Sequence, residues 1–140
     1  DGMTPLLAAC TKTQNEKVIA CLLNHSALVN AKVIENSRTP LHIACSQTTN
    51  VKLIELLLNY HADVNAKDLL KRTPLMEASC LVSNKSVIQL LLKKGATVND
   101  VDSKGKSPLY EACQSNNLSA AKLFLASSAR FNIVDFSGYT

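Results

Sequence analysis

Long hydrophobic runs are missing from this chain of 140 residues. The best candidate, residues 53–58, is interrupted by Glu55 and falls far short of the roughly 18 to 20 apolar residues that span a membrane. The first residues carry no signal peptide or other targeting segment. We therefore expect no membrane association, and a protein of the cytoplasm or the nucleus.

Patterns for catalysis and cofactor binding are missing as well. The five cysteines are odd in number and form no C-x-x-C pair, which favours free thiols. The three histidines are dispersed, no Ser-His-Asp or Cys-His arrangement can be proposed, and no glycine-rich loop precedes a helix. The sequence therefore predicts no enzyme, no cofactor and no metal site.

Aromatic residues are scarce, at 4% of the chain with no tryptophan, which argues against stacking on single-stranded nucleic acid. The net charge of +4 is a mild excess that a solvated surface explains more simply than a nucleic-acid site. The chain does have 46% hydrophobic and 19% charged residues, a composition typical of a soluble globular domain.

An internal repeat organises the chain. A Thr-Pro-Leu or Ser-Pro-Leu element recurs four times, and Pro5, Pro40, Pro74 and Pro108 follow one another at steps of 35, 34 and 34 residues. A hydroxyl side chain before proline is typical of a helix start, because the hydroxyl caps the helix and proline has no backbone N–H to leave unpaired. Each element therefore predicts a first helix.

A second helix is predicted in each repeat. Its apolar residues recur at i, i+1, i+4 and i+5, which is one face of an α-helix. An asparagine that can cap the helix precedes each run, at Asn15, Asn50, Asn84 and Asn117. Each repeat is therefore a helix hairpin, and an extended finger joins it to the next.

These motifs resemble those of the ankyrin repeat family, with T-P-L-x-x-A, L-L-L, A-D-V-N and D-x-x-G-x-T in register over essentially the whole chain. The resemblance implies an all-α solenoid of stacked helix-turn-helix units joined by β-hairpin-like fingers. We predict repeats at 1–36, 37–70, 71–104 and 105–137, with 138–140 as the truncated start of a fifth. We expect a monomeric fragment of a longer array.

Some positions depart from the family pattern. The glycine usual after the second helix is present only as Gly95, with Ser26, His61 and Ser128 at the matching positions. If these residues are left-handed, each costs on the order of 1 kcal/mol. Repeats 1 to 3 also carry one extra residue between their helices, and the first finger has an insertion within residues 32–37.

The resemblance implies a protein-protein interaction module that binds through its finger tips and the concave face of its first helices. Leu69 and Leu70 stand at a tip where charged residues surround them, so we predict that they anchor a partner. The alternative is that one leucine folds back onto a neighbouring finger. Val33 and Ile34 of the preceding finger favour a patch. The other tip positions are Ser103 and Lys104, then Phe136 and Ser137.

A basic column precedes the first helices. Arg38, Arg72 and Lys106 occupy equivalent positions, one residue before the Thr or Ser that caps each first helix. Met3 and Tyr139 stand at the same position in the column. Glu77 and Glu111 lie opposite, at equivalent positions of the first helices. The cations either receive an acidic peptide or pair with the two glutamates. Leu81, Cys80 and Tyr110 add apolar area nearby. The predicted partner-binding residues are Val33, Ile34, Arg38, Leu69, Leu70, Arg72, Glu77, Leu81, Lys104, Lys106, Tyr110 and Glu111, and the predicted partner is a protein segment with acidic and apolar residues.

Three further groups have structural interpretations. Cys10, Cys45 and Cys113 share one position of the first helix and are interpreted as small buried hydrophobes. By resemblance, His42 is a structural hydrogen-bonding group of T-P-L-H. Asn65 and Asn99 match a pattern that asparaginyl hydroxylases modify in ankyrin repeats, although hydrogen bonding between neighbouring fingers explains them better.

The sequence leaves several functional alternatives beside a protein-interaction module. The array could be the targeting or substrate-recognition arm of a larger enzyme or of a ubiquitin-ligase receptor. It could also bind nucleic acid through the basic column, or act as a spacer. The identity of the partner, the pathway and the flanking domains are not encoded in a form that one chain reveals.

Overall fold

The computed structural model describes residues 2–132, 134, 135 and 138. This part of the chain folds into eight α-helices and contains no β-strand, which confirms the predicted all-α repeat fold. The helices are α1 (Pro5–Lys12), α2 (Glu16–Asn24), α3 (Pro40–Gln47), α4 (Val51–Asn59), α5 (Pro74–Ser79), α6 (Lys85–Lys93), α7 (Pro108–Gln114) and α8 (Leu118–Ala126). They form four hairpins, one in each predicted repeat.

Every first helix begins as the sequence predicts. The side-chain oxygens of Thr4, Thr39, Thr73 and Ser107 accept a backbone hydrogen bond from the third residue of their helices, and proline follows each cap. The asparagines cap the second helices, and three of them do so with a side-chain bond. Asn84 differs, because its Nδ2 instead donates to the carbonyl oxygen of Cys45 at 3.3 Å, in the preceding repeat.

The hairpins stack side by side into two layers. The first helices pack in the order α1, α3, α5, α7, and the second helices in the order α2, α4, α6, α8. Residues such as Leu6, Leu41 and Leu75 from the first layer and Leu53 and Leu91 from the second are fully buried between them. The core is therefore continuous along the stack, because each hairpin covers apolar side chains of its neighbour.

The fingers are loops closed by backbone hydrogen bonds. Val33 N–H donates to Arg38 O at 3.0 Å, and the pairs Asp68 to Arg72 and Asp102 to Lys106 repeat this contact at 3.1 and 3.0 Å. Their tips are also bonded to one another: Leu69 N–H donates to Asn36 O at 2.9 Å, and Ser103 N–H to Leu70 O at 2.8 Å. The fingers thus form one hydrogen-bonded row.

Asparagine side chains tie each repeat to the next, as predicted for Asn65 and Asn99. Asn65 donates to Gly95 O at 3.0 Å and accepts from Thr97 N–H at 2.9 Å. Asn99 makes the matching bonds to the main chain of Ser128 and Arg130, at 3.3 and 2.8 Å. This structural role is confirmed, while hydroxylation of the two asparagines stays a prediction.

Left-handed backbone occurs where the sequence lacks the usual glycine. Ser26, His61 and Ser128 have φ values of 63°, 64° and 62°, and Gly95 at the equivalent position has 91°. The expected strain at the three non-glycine residues is therefore present, because a Cβ crowds the backbone in this region. Ser37 and Lys71, just after the finger tips, are also left-handed, with φ values of 58° and 59°.

We expect the substitutions Ser26→Gly and Ser128→Gly each to raise the free energy of unfolding by about 0.5–1 kcal/mol, because glycine adopts positive φ without steric cost. Urea unfolding measures the change. Gly95→Ala is the matched control and should lower stability, since the Cβ would meet no other atom within 4 Å and only the backbone cost remains. Lower stability of both serine variants would contradict the expectation.

Candidate functional site

Three apolar side chains project from the tips of neighbouring fingers. Ile34, Leu69 and Leu70 are 74%, 62% and 54% exposed, and we call them the tip patch. The bond between Leu69 N–H and Asn36 O places the two fingers next to each other. Both leucines are more than half exposed, so neither is buried in the core of its own repeat. Exposed apolar side chains grouped in this way are typical of interaction surfaces.

Val33 does not belong to the tip patch, and its assignment as a partner contact was wrong. Only 6% of the residue is exposed, and it packs into the hydrophobic core. Its N–H and carbonyl groups close the finger through bonds to Arg38 O and from Ser37 N–H. The insertion in this finger therefore leaves Ile34 at the surface and turns Val33 inward.

The tip turns are fixed by aspartate side chains that the sequence analysis did not single out. Asp68 Oδ1 accepts from the N–H groups of Leu70 and Arg72 at 2.8 and 2.9 Å. Asp102 repeats these contacts in the next finger. The aspartate of the D-x-x-G pattern was the available signal, since aspartate commonly accepts hydrogen bonds from backbone two residues further on. The turn that carries Leu69 and Leu70 is therefore ordered before any partner binds.

Arg72 is the centre of a charge network that links repeats 2, 3 and 4. Its guanidinium lies 2.7 Å from Glu77, 2.8 Å from Glu111 and 3.7 Å from Asp102. Arg38 bonds to Glu77 at 2.8 Å from the other side. Burial alone would lower the pKa of Arg72, but the bonds to Glu77 and Glu111 outweigh it and raise the pKa.

This network decides between the two interpretations of the basic column. Arg38 and Arg72 pair with Glu77 and Glu111 within the protein, so the prediction that the two arginines receive an acidic peptide is wrong. The two glutamates, predicted as partner contacts, are occupied by the same ion pairs. The pairing joins an arginine to the glutamate of the following repeat, and Lys106 takes no part in it. Two of the three cations on which a nucleic-acid site would depend are thereby neutralised.

Four other predicted contacts lie in varied surroundings. Lys104 is exposed at the third tip, and Leu81 is half-buried. Lys106 Nζ lies 4.8 Å from the centre of the half-buried Tyr110 ring, a cation–π distance. These residues stay predicted contacts. The tip positions Phe136 and Ser137, and Tyr139 of the basic column, lie outside the described residues.

We expect Arg72→Ala to lower the free energy of unfolding by about 2–4 kcal/mol, because it leaves partly buried carboxylates without their shared counter-charge. Urea unfolding followed by circular dichroism measures the loss. Lys52→Ala, which removes an exposed lysine of α4, should change stability by less than about 0.5 kcal/mol. Similar small effects of the two substitutions would contradict the role of Arg72.

His42 is a structural residue, as the resemblance implied. The ring is fully buried, Nδ1 accepts from Thr39 N–H at 3.2 Å, and Nε2 donates to Arg72 O at 3.0 Å. These contacts fix the tautomer with the proton on Nε2. Burial lowers the pKa of His42 below its usual value, because the charged ring would be poorly solvated.

The lowered pKa of His42 predicts a pH dependence. Below about pH 6.5 the unfolded chain binds a proton at this histidine that the folded chain does not, so stability should fall with decreasing pH. The midpoint of urea unfolding, measured between pH 7.5 and 5, should decline more steeply for the wild type than for His42→Leu. Leucine is chosen because Leu7 occupies the equivalent position in repeat 1. Val82→Ser, at an exposed position and without a titratable group, should keep the wild-type slope. An unchanged slope in His42→Leu would contradict the assignment.

The cysteines of the first helices do not share one environment. Cys10 and Cys45 are buried as predicted, and burial raises the pKa of the Cys10 thiol to about 12. Cys113 is exposed, so its interpretation as a buried hydrophobe was wrong. In the earlier repeats, the next first helix packs against the helix that carries the cysteine position. Among the described residues, no helix packs against the side of α7 that faces away from α5, so Cys113 lacks this cover.

Neither a metal centre nor a membrane span is formed by the described residues. Within residues 2–132, 134, 135 and 138, no group of three or more His, Cys, Asp or Glu side chains is placed to hold a metal ion. No helix in the same residues has the length and apolar character needed to cross a bilayer.

A family model for ankyrin repeats in three copies matches residues 1–68 and again residues 50–135. The matched segments span most of the chain, which therefore belongs to the ankyrin repeat family. Domains of this family are generally protein-interaction modules and are typically non-catalytic. A comparison with curated proteins found no match.

Proposed function

We propose that this domain is a non-catalytic module of the cytoplasm or nucleus that docks a partner protein on its tip patch. The observation that carries this proposal is the exposure of Leu69 and Leu70 on a turn fixed by backbone and aspartate hydrogen bonds. Full burial of a leucine side chain contributes roughly 1.5–3 kcal/mol, so two leucines and Ile34 offer enough apolar area to anchor a segment.

Preorganisation supports the same surface. The hydrogen bonds between Asn36, Leu69, Leu70 and Ser103 hold the tips in place without a ligand. Binding therefore avoids most of the entropic cost of ordering a loop. A rigid tip also fixes the spacing of its side chains, which favours one partner segment over others.

The charge around the patch indicates the character of the partner. Lys104 and Lys71 are exposed near the leucines, and neither takes part in an ion pair among the described residues. The paired arginines of the concave face contribute little further positive charge. The partner that fits best is a segment with adjacent apolar side chains followed by carboxylates, whose approach the lysines would accelerate.

The double substitution Leu69→Ser with Leu70→Ser tests the proposal. Proteins captured from cell lysate by the wild type identify a partner, whose affinity is then measured by calorimetry. We expect the affinity to fall at least about tenfold, since apolar burial is lost. Thermal unfolding should hardly change, because both side chains are exposed in the free protein.

Val82→Ser is the matched control, because Val82 is also exposed but lies between α5 and α6, away from the fingers. It should bind the partner as the wild type does. Equal affinity of the tip variant and the wild type would refute the proposed anchor, and loss of binding in the Val82 variant would place the interface elsewhere.

A further inference from the structure

Lys71 lies in left-handed backbone immediately after the two leucines of the tip patch. Its φ value is 59°, in a region where the Cβ of every residue except glycine crowds the backbone. The side chain is exposed and makes no ion pair or hydrogen bond with another described residue. Contacts among the described residues therefore give no structural reason for a lysine at this position.

The other fingers show which residue this backbone position favours. The position lies two residues before the Thr or Ser of each repeat, and it holds Gly2, Ser37, Lys71, Gly105 and Gly138. The φ values of these residues are all positive, at 57°, 58°, 59°, 81° and 86°. The N–H groups of Lys71 and Gly105 close the same turn, with bonds to Asp68 O at 3.0 Å and Asp102 O at 3.1 Å. Glycine thus builds this turn equally well, and the turn does not require the lysine.

A strained residue that the turn does not require indicates a functional constraint. Lys71 adjoins Leu70 in the chain, and both side chains are exposed on a turn that Asp68 fixes. A partner that covers the leucines also removes water around the neighbouring ammonium group, which strengthens its attraction to a negative charge. Lys104, which is also exposed at a finger tip, does not have left-handed backbone, so no strain marks it in this way.

We propose that Lys71 is a specificity-determining residue of the tip patch, and that it binds a carboxylate directly beside the apolar residues of the partner segment. This inference rests on the proposed function, because it requires that Leu69 and Leu70 anchor a protein segment. The ammonium group rejects segments that carry lysine or arginine in the same place, so it selects among partners that are equally apolar. The strained backbone at Lys71 lowers stability, and selectivity is what the domain gains in return.

The substitution Lys71→Gly separates the effect on stability from the effect on binding. Glycine relieves the left-handed strain, so the midpoint of thermal unfolding should rise by about 2 °C. The same substitution removes the cation, so binding should weaken. Ser37→Gly is the matched control, because it relieves the same strain in the neighbouring finger without removing a charge. It should raise the midpoint and leave binding unchanged.

The binding probe is a displayed library of random short peptides. The peptides are selected on the wild type and counter-selected on the variant that carries Leu69→Ser and Leu70→Ser, so those that remain depend on the leucines. We expect these peptides to carry Asp or Glu beside a pair of adjacent apolar residues. Selection on Lys71→Glu should favour Lys or Arg in that place instead.

The dependence of affinity on salt distinguishes an ion pair from a structural role of Lys71. The strongest peptide is synthesised with its acidic residue and with the matching amide. Lys71→Gly should weaken binding of the acidic peptide about fivefold at low salt, and binding of the amide peptide less than about twofold. At about 1 M salt the two proteins should bind the acidic peptide alike, because charges are screened within about 3 Å. Lys52→Ala, which removes an exposed lysine of α4, is the charge control and should bind as the wild type does.

Several results would overturn the proposal and leave the tip patch as an anchor. Leucine-dependent peptides could lack an acidic residue beside the apolar pair, or Lys71→Gly could bind the acidic peptide as tightly as the wild type. A loss of affinity that persists at high salt would likewise show that Lys71 acts through the shape of the turn. A library without any leucine-dependent peptide would instead refute the proposed function, and the role of Lys71 with it.

Discussion

Apolar surface that a two-helix unit cannot bury alone is the constraint on which this structure depends. A hairpin of helices with six to nine residues each encloses almost no interior, so its leucines are shielded only when another hairpin lies against them. The full burial of Leu53, Leu75 and Leu91 is thus a property of the stack. Stability is shared between neighbours, and a local defect is felt mainly by the adjacent repeats.

Polar side chains supply what apolar burial does not, namely the register between repeats. Apolar contact is non-directional and would tolerate sliding. The bonds from Asn65 to the main chain at Gly95 and Thr97, and from Asn117 to Ser79 and Leu81, join defined atoms of successive repeats. Arg72 acts similarly on the concave side, where its planar guanidinium contacts two glutamates at once.

The fold was predictable because its signals are local and recur. A hydroxyl residue before proline and an asparagine before an apolar run specify helix starts through contacts within four residues, so Thr39 and Asn50 could be assigned from sequence. The exposure of Leu69 and Leu70 followed from their place in a charged turn.

The predictions that were wrong depend on contacts between repeats or on changes of register. The insertion before Ser37 altered which side chain reached the finger tip, so Val33 turned inward and Ile34 stayed outside. Sequence spacing also gave two equal interpretations for Arg72, because the choice depends on the distance to Glu111 in another repeat. Cys113 was assigned by analogy with Cys45, and analogy does not show whether a neighbour is present.

Among the described residues, the hydrogen bonds that join neighbouring finger tips run between main-chain atoms, from Leu69 N–H to Asn36 O and from Ser103 N–H to Leu70 O. Almost any residue except proline at the donor positions can make these bonds, so the scaffold places little demand on tip side chains. Leu69 and Leu70 could therefore be exchanged during evolution without loss of the row. New binding preferences can arise on such a surface by single substitutions, while the architecture beneath it is inherited unchanged.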